Sequence, residues 1–188
     1  MLIIIGLLYP MPELSFEWSH TIALGLFLFA ALTDWLDGWL ARKFGQVSEF
    51  GKFMDALADK VLTLGMFTSL LALGALPIWT LFPILLILSR ELLITGLRLV
   101  AAGKGKTLAA EKIGKIKTVI QLTCISLTLG KLALEVDLQP FMATEQHRQL
   151  LNLLESASLL TLVLASFITV ISGVLYMSKY WRFFLDED

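Results

Sequence analysis

The chain has 188 residues, 57% of them apolar and only 16% charged, with a mean hydropathy of +0.79. A soluble domain carries about 25% charged residues, and one of this length cannot hide so much apolar surface, which excludes a disordered chain, a nucleic-acid binder and a secreted scaffold. Net charge is −1 and names no partner, while the single cysteine, Cys124, excludes an intrachain disulfide and a thiolate zinc cage.

Crossing the hydrocarbon core takes ~20 mostly apolar residues. Residues 2–9 are apolar but too short to cross at ~1.5 Å per residue, and they lack the basic start of a secretory signal. They are expected to be the end of a first helix whose beginning lies outside the chain. Five stretches of spanning length follow, at residues 20–41, 53–76, 78–100, 116–134 and 150–176. The breaks carry Pro10 and Pro12, the link 42–52, Pro77, the glycines at 103 and 105, and Pro140. The pattern predicts an all-α polytopic membrane protein of six transmembrane helices, the first incomplete, forming one membrane domain over 1–188. Arg42, Lys43, Lys52, Lys104, Lys106, Lys112, Lys115, Lys179 and Arg182 fall on one side of these spans. Arg148, with Lys131 near the end of its helix, falls on the other. Basic loops stay inside, so both termini and the basic face are expected to be cytoplasmic.

Four carboxylates interrupt the apolar pattern. An ionisable group at the centre of a membrane helix costs ~2.5–3.5 kcal/mol on insertion scales and calls for a partner or a task. Asp34, Asp37, Gly38 and Ala41 fall on one face of the second helix, and Gly51, Asp55 and Asp59 form a stripe at i, i+4, i+8 on the third. A short connection makes the two helices antiparallel neighbours with both acidic faces at the cytoplasmic end. Four carboxylates that converge repel one another unless a cation lies among them, and hard oxygen donors without His or Cys suit Mg²⁺ or Mn²⁺. Gly38, Ala41 and Gly51 leave room for close approach, and Arg42 offers a fork for a phosphate oxygen. A structural role, as proton relay or ion pair, is the alternative, although Lys60 cannot share a helix face with its neighbour Asp59.

The run Asp34-Trp-Leu-Asp37-Gly38-Trp-Leu-Ala41-Arg42, followed by Gly51, Asp55 and Asp59, resembles the signature of the CDP-alcohol phosphatidyltransferase family. Ala56 departs from the Pro common there, which removes a kink rather than a ligand. The segments Ser89-Arg90-Glu91-Leu-Leu-Ile-Thr95-Gly96-Leu97-Arg98 and Gly114-Lys115-Ile116-Lys117-Thr118 are similar to members that use glycerol 3-phosphate as acceptor, as is, more weakly, Ile171-Ser172-Gly173-Val-Leu-Tyr176. The resemblance implies a six-helix homodimer in the inner (cytoplasmic) membrane, with its site on the cytoplasmic face and no nucleic-acid partner. It implies transfer of a phosphatidyl group from CDP-diacylglycerol to glycerol 3-phosphate. Asp34, Asp37, Asp55 and Asp59 would then hold divalent cations, Mg²⁺ or Mn²⁺. Asp37, Gly38, Ala41, Arg42 and Gly51 would bind CDP-diacylglycerol, and Asp59 would be the catalytic base or, in the alternative, a ligand only.

An anionic acceptor needs further cations, and Arg90, Arg98, Lys115 and Lys117 are the expected phosphate ligands. Each has a plainer reading. Arg90 could serve a structural ion pair, Arg98 could snorkel to the interface, and the two lysines could be orientation signals or lipid contacts. Glu91 and Arg98 are seven residues apart and share a face, so Glu91 is expected to orient Arg98. His20 and His147 fall on the opposite side from the carboxylates and read as interface or loop residues rather than ligands. The rival functions are a family member with another acceptor, such as a cardiolipin synthase, and, in a different class, a cation transporter. Transport sites lie near the midplane between broken helices, whereas these carboxylates gather at one end.

Overall fold

The computed structural model describes residues 1–9, 18–44, 49–103, 112–138 and 145–185. Side chains are left out of that description at 35, 38, 39, 41, 42, 44, 49–57, 59, 102, 112–115 and 182–185. The described residues contain helices and no strand. In chain order they form α1 (Leu2–Leu8), α2 (Ser19–Phe44), α3 (Glu49–Ala72), α4 (Leu81–Gly103), α5 (Lys112–Leu132) and α6 (Glu145–Leu185). The long apolar stretches read from the sequence each lie on one of these helices, and the boundaries differ where local hydrogen bonding intervenes.

The clearest difference is the end of α3. The apolar run continues to Leu76, but the helix stops at Ala72. Gly74 takes φ +71, which an L side chain would resist, and the Gly74 and Ala75 amides turn back to the carbonyls of Leu71 and Leu70 at 3.0 Å each. This is a Schellman closure, satisfying carbonyls that the helix end leaves open. Pro77 then starts a short 3₁₀ turn, Ile78–Thr80, closed by the Thr80 hydroxyl donating to the Pro77 carbonyl at 2.7 Å. The corner is tight, and Leu76 is buried within it.

The end of α5 is likewise specific. A π turn, Ala133–Asp137, follows it and aims Asp137 at the first turn of α2. Asp137 accepts from the Thr21 amide at 2.7 Å and the Thr21 hydroxyl at 2.8 Å, with His20 Nδ1 3.0 Å away. A carboxylate at a helix N-terminus satisfies an orphan amide and complements the helix dipole. His20 thus shares the Asp137 carboxylate with Thr21. Lys131 on the same end pairs with Glu155 at 2.7 Å.

Helix α6 packs on α5 and α4, α5 also receives α2 and α3, and α1 lies on α2. One apolar cluster runs through these contacts, including Leu8, Phe27, Met66, Phe67, Leu70, Ile87, Ile125, Leu129 and Leu162. Leu28, Phe29 and Leu32 on α2, Phe82 and Leu92 on α4, and Leu153, Leu160 and Phe167 on α6 instead face outward. An apolar exterior as well as an apolar core is the pattern of a protein solvated by lipid. Among the described residues, the segments Ile116–Asp137 and Glu145–Trp181 are long and apolar enough to cross a membrane. The 41 residues of α6 measure roughly 60 Å, about twice a bilayer's hydrocarbon core.

Candidate active site

Helix α2 runs without interruption through the first half of the motif, so Asp34 and Asp37 stand three residues apart on one side of it, both exposed. Helix α3 carries positions 55 and 59 one turn apart. The side chains of Gly38, Ala41, Arg42, Gly51, Asp55 and Asp59 lie outside those described, and so does that of Lys115. Among the described residues no three His, Cys, Asp or Glu side chains cluster as a metal site. The donor chemistry nevertheless fits a hard divalent cation, because the motif offers carboxylate oxygens from two helices and no soft ligand.

Lys60, which follows Asp59 in the sequence, ties α3 to α4. Lys60 Nζ lies 3.7 Å from Glu91 Oε2 on α4. Glu91 is only 7% exposed and Lys117 of α5 only 5%. These two form a direct ion pair through Glu91 Oε1. Arg90 Nη1 approaches the same oxygen at 3.5 Å. A single buried carboxylate thus gathers cations from α3, α4 and α5. Burying any one of these charges alone would be prohibitive, and mutual pairing is what makes the arrangement tolerable.

On its other side Arg90 reaches α6. Its Nη2 donates to the Ser172 hydroxyl at 2.7 Å, and its stem crosses Gly173, where an added Cβ would meet Arg90 Cγ at 3.0 Å. One turn further along α6, the ring of Tyr176 lies 5.6 Å from the Arg98 guanidinium carbon, within cation–π range. Of the expected acceptor ligands, Arg90 and Lys117 therefore meet at Glu91, while Arg98 turns to Tyr176.

The expectation that Glu91 orients Arg98 is corrected by this arrangement. Seven residues separate them by about 10 Å along the helix axis, whereas Lys117, Lys60 and Arg90 reach Glu91 directly. Lys60 as a partner of Glu91, and Ser172 and Tyr176 as partners of the arginines, are not foreseen by the sequence pattern. The signals for the latter are the polar pair at i and i+4 and the weak resemblance of residues 171–176, neither of which names a partner.

Residues 1–171 match the family model of the CDP-alcohol phosphatidyltransferases. The chain belongs to this family. It is accordingly a phosphatidyltransferase of phospholipid biosynthesis and an integral membrane protein, and the cation-transport reading falls away. Divalent-cation dependence is general among CDP-alcohol phosphatidyltransferases. A CDP-diacylglycerol–glycerol-3-phosphate 3-phosphatidyltransferase of Bacillus subtilis (strain 168) is 40% identical over 169 residues, or 89% of this chain and 78% of that protein. A protein of the same name from Yersinia enterocolitica is 31% identical over 175 residues, 92% of this chain and 86% of its own length. One from Salmonella choleraesuis is 35% identical over 131 residues, 69% and 71% of the two chains.

Proposed function

We propose that this phosphatidyltransferase moves the phosphatidyl group of CDP-diacylglycerol to glycerol 3-phosphate, giving phosphatidylglycerophosphate and CMP. The observation that carries the choice of acceptor is the tie between motif and cations. Lys60, next to Asp59, meets Glu91 at 3.7 Å, and through Glu91 the motif helix is joined to Arg90 and Lys117. Arginine forks suit a phosphate monoester, and a neutral alcohol would have no use for them. The relatives above carry names that state the same acceptor, which supports the reading.

In this reading Asp34, Asp37, Asp55 and Asp59 hold Mg²⁺ or Mn²⁺, which when bound neutralises the diphosphate and stabilises charge on the departing CMP. Gly38, Ala41 and Gly51 leave space for the nucleotide, and Arg42 and Asp37 orient the CDP headgroup. Arg90, Arg98, Lys115 and Lys117 bind the acceptor phosphate. Asp59 takes the proton from the acceptor's primary hydroxyl. The freed oxygen bonds to the β-phosphorus, the bond from that phosphorus to the CMP oxygen breaks, and CMP leaves with the electron pair. The same reading takes the helices as six passes in the inner membrane, with the site facing the cytoplasm and two copies pairing as a homodimer. The asymmetry of basic residues supports the orientation.

The test is CMP release by the purified chain given CDP-diacylglycerol and Mg²⁺ or Mn²⁺. Release is expected with glycerol 3-phosphate. Release with phosphatidylglycerol alone would identify a cardiolipin-forming enzyme instead, and absence of release with glycerol 3-phosphate would overturn the proposal.

A further inference from the structure

Ser172, Gly173 and Tyr176 share one face of α6, and each touches an arginine of α4. Arg90 and Arg98 are eight residues apart, about 12 Å along α4, whereas Ser172 and Tyr176 are four apart, about 6 Å along α6. Both guanidinium groups are thus engaged by the same short stretch of α6. Glu91 holds Arg90 from one side at 3.5 Å and the Ser172 hydroxyl from the other at 2.7 Å, which sets the plane of the guanidinium. The missing side chain at Gly173 is what admits the Arg90 stem, since a Cβ would lie 3.0 Å from its Cγ. Tyr176 is 1% exposed and packs against Tyr180, ring centroids 4.7 Å apart, so its ring is a fixed shelf beneath Arg98. Its hydroxyl is buried and has no hydrogen-bond partner among the described residues, so the contact to the arginine is made by the ring.

We propose that Ser172, Gly173 and Tyr176 form a positioning platform on α6 that converges Arg90 and Arg98 on one phosphate monoester and so selects the acceptor. This rests on the assignment of the two arginines as acceptor ligands. An arginine stem is flexible, and ordering it before the ligand arrives removes that entropic cost from binding. The three platform residues act through the arginines they touch. Their effect is on acceptor affinity and not on the donor.

The experiment compares KM for glycerol 3-phosphate with KM for CDP-diacylglycerol in the full chain. Ser172→Ala, Gly173→Ala and Tyr176→Leu are each expected to raise the acceptor KM roughly tenfold, the scale of one charge-assisted contact, with the donor KM changed less than about twofold. Ser172→Thr and Tyr176→Phe keep the hydroxyl and the ring and are expected to behave as the parent. An unchanged acceptor KM, an equal rise in both constants, or a Tyr176→Phe defect as large as that of Tyr176→Leu would each overturn the platform. Gly173→Ala adds a good helix former and carries the test if a truncated variant fails to fold. Arg90→Gln and Arg98→Gln separate the two levels. If they leave the acceptor KM unchanged, the ligand assignment fails, and if only they raise it, the platform alone fails.

Discussion

Glu91 is the point at which three helices share a buried charge, so Glu91→Gln is the most informative single change for the fold. The substitution keeps shape and one carbonyl acceptor but removes the negative charge from between Lys117, Lys60 and Arg90. The Lys117 pair dominates, because both residues are below 10% exposed and in direct contact, whereas Lys60 and Arg90 stand at 3.7 and 3.5 Å. Removing one member of a buried pair costs about 3–5 kcal/mol. The surviving amide oxygen puts Glu91→Gln at the low end, about 3 kcal/mol. For a chain of this size that corresponds to a fall of roughly 6–12 °C in Tm, read by thermal unfolding in one fixed detergent. Lys117→Met removes the other charge, and the double variant should recover most of the loss, since a neutral, packed pair replaces an ionic one at little cost. The resulting coupling should exceed about 1 kcal/mol. A Tm loss under about 2 °C for Glu91→Gln, or strict additivity with Lys117→Met, would refute the claim that this pair supports the bundle.

Asp59→Asn should abolish CMP release while CDP-diacylglycerol still binds, measured by equilibrium binding against turnover; equal loss of both would remove the separate role as base. Chelation with EDTA should abolish turnover, and excess Mg²⁺ or Mn²⁺ should restore it, whereas full activity in chelator would contradict a carboxylate-held cation. Asp137→Asn should cost about 2 kcal/mol, because Asp137 accepts at both oxygens from Thr21 and His20 and an amide would set a donor against a donor. Both KM values should stay at the parental level in that variant, since the contact lies at the opposite end of α2 from the motif.

The helices were legible because apolar length is itself the signal in a membrane chain, and Pro and Gly punctuate it. What escaped was where a helix ends within an apolar run. Apart from Gly74, residues 73–76 are as apolar as the turn before, and the stop comes from Gly74 adopting a left-handed backbone three residues before Pro77. The acidic motif was legible because a carboxylate is too costly in an apolar helix to stand there without a cation or a proton to handle. Partners across helices were not. Arg90 and Ser172 are 82 positions apart, and no periodicity within α4 or α6 reveals that they meet. The same limit explains the misassigned partner of Glu91. Spacing along one helix favoured Arg98, but ammonium groups from α3 and α5 arrive closer than any residue two turns away on α4.

Under the proposed reading, that arrangement would give Lys117 two duties that oppose each other. A lysine in direct contact with a buried carboxylate is held in place by it, and the same contact competes with an incoming phosphate for the ammonium. The arginines differ, because a guanidinium presents several donors in one plane and can engage a neighbour and a phosphate together. Under the proposed reading, Arg90, braced by Glu91 and Ser172, and Arg98, supported by the Tyr176 ring, would be better suited than Lys117 to discriminate the acceptor, while Lys117 pairs with Glu91. Charge that is costly in an apolar bundle is tolerated here because each ion positions another. Among the described residues, the guanidinium forks turned toward α6 combine firm support with the planar array of donors that a phosphate monoester matches.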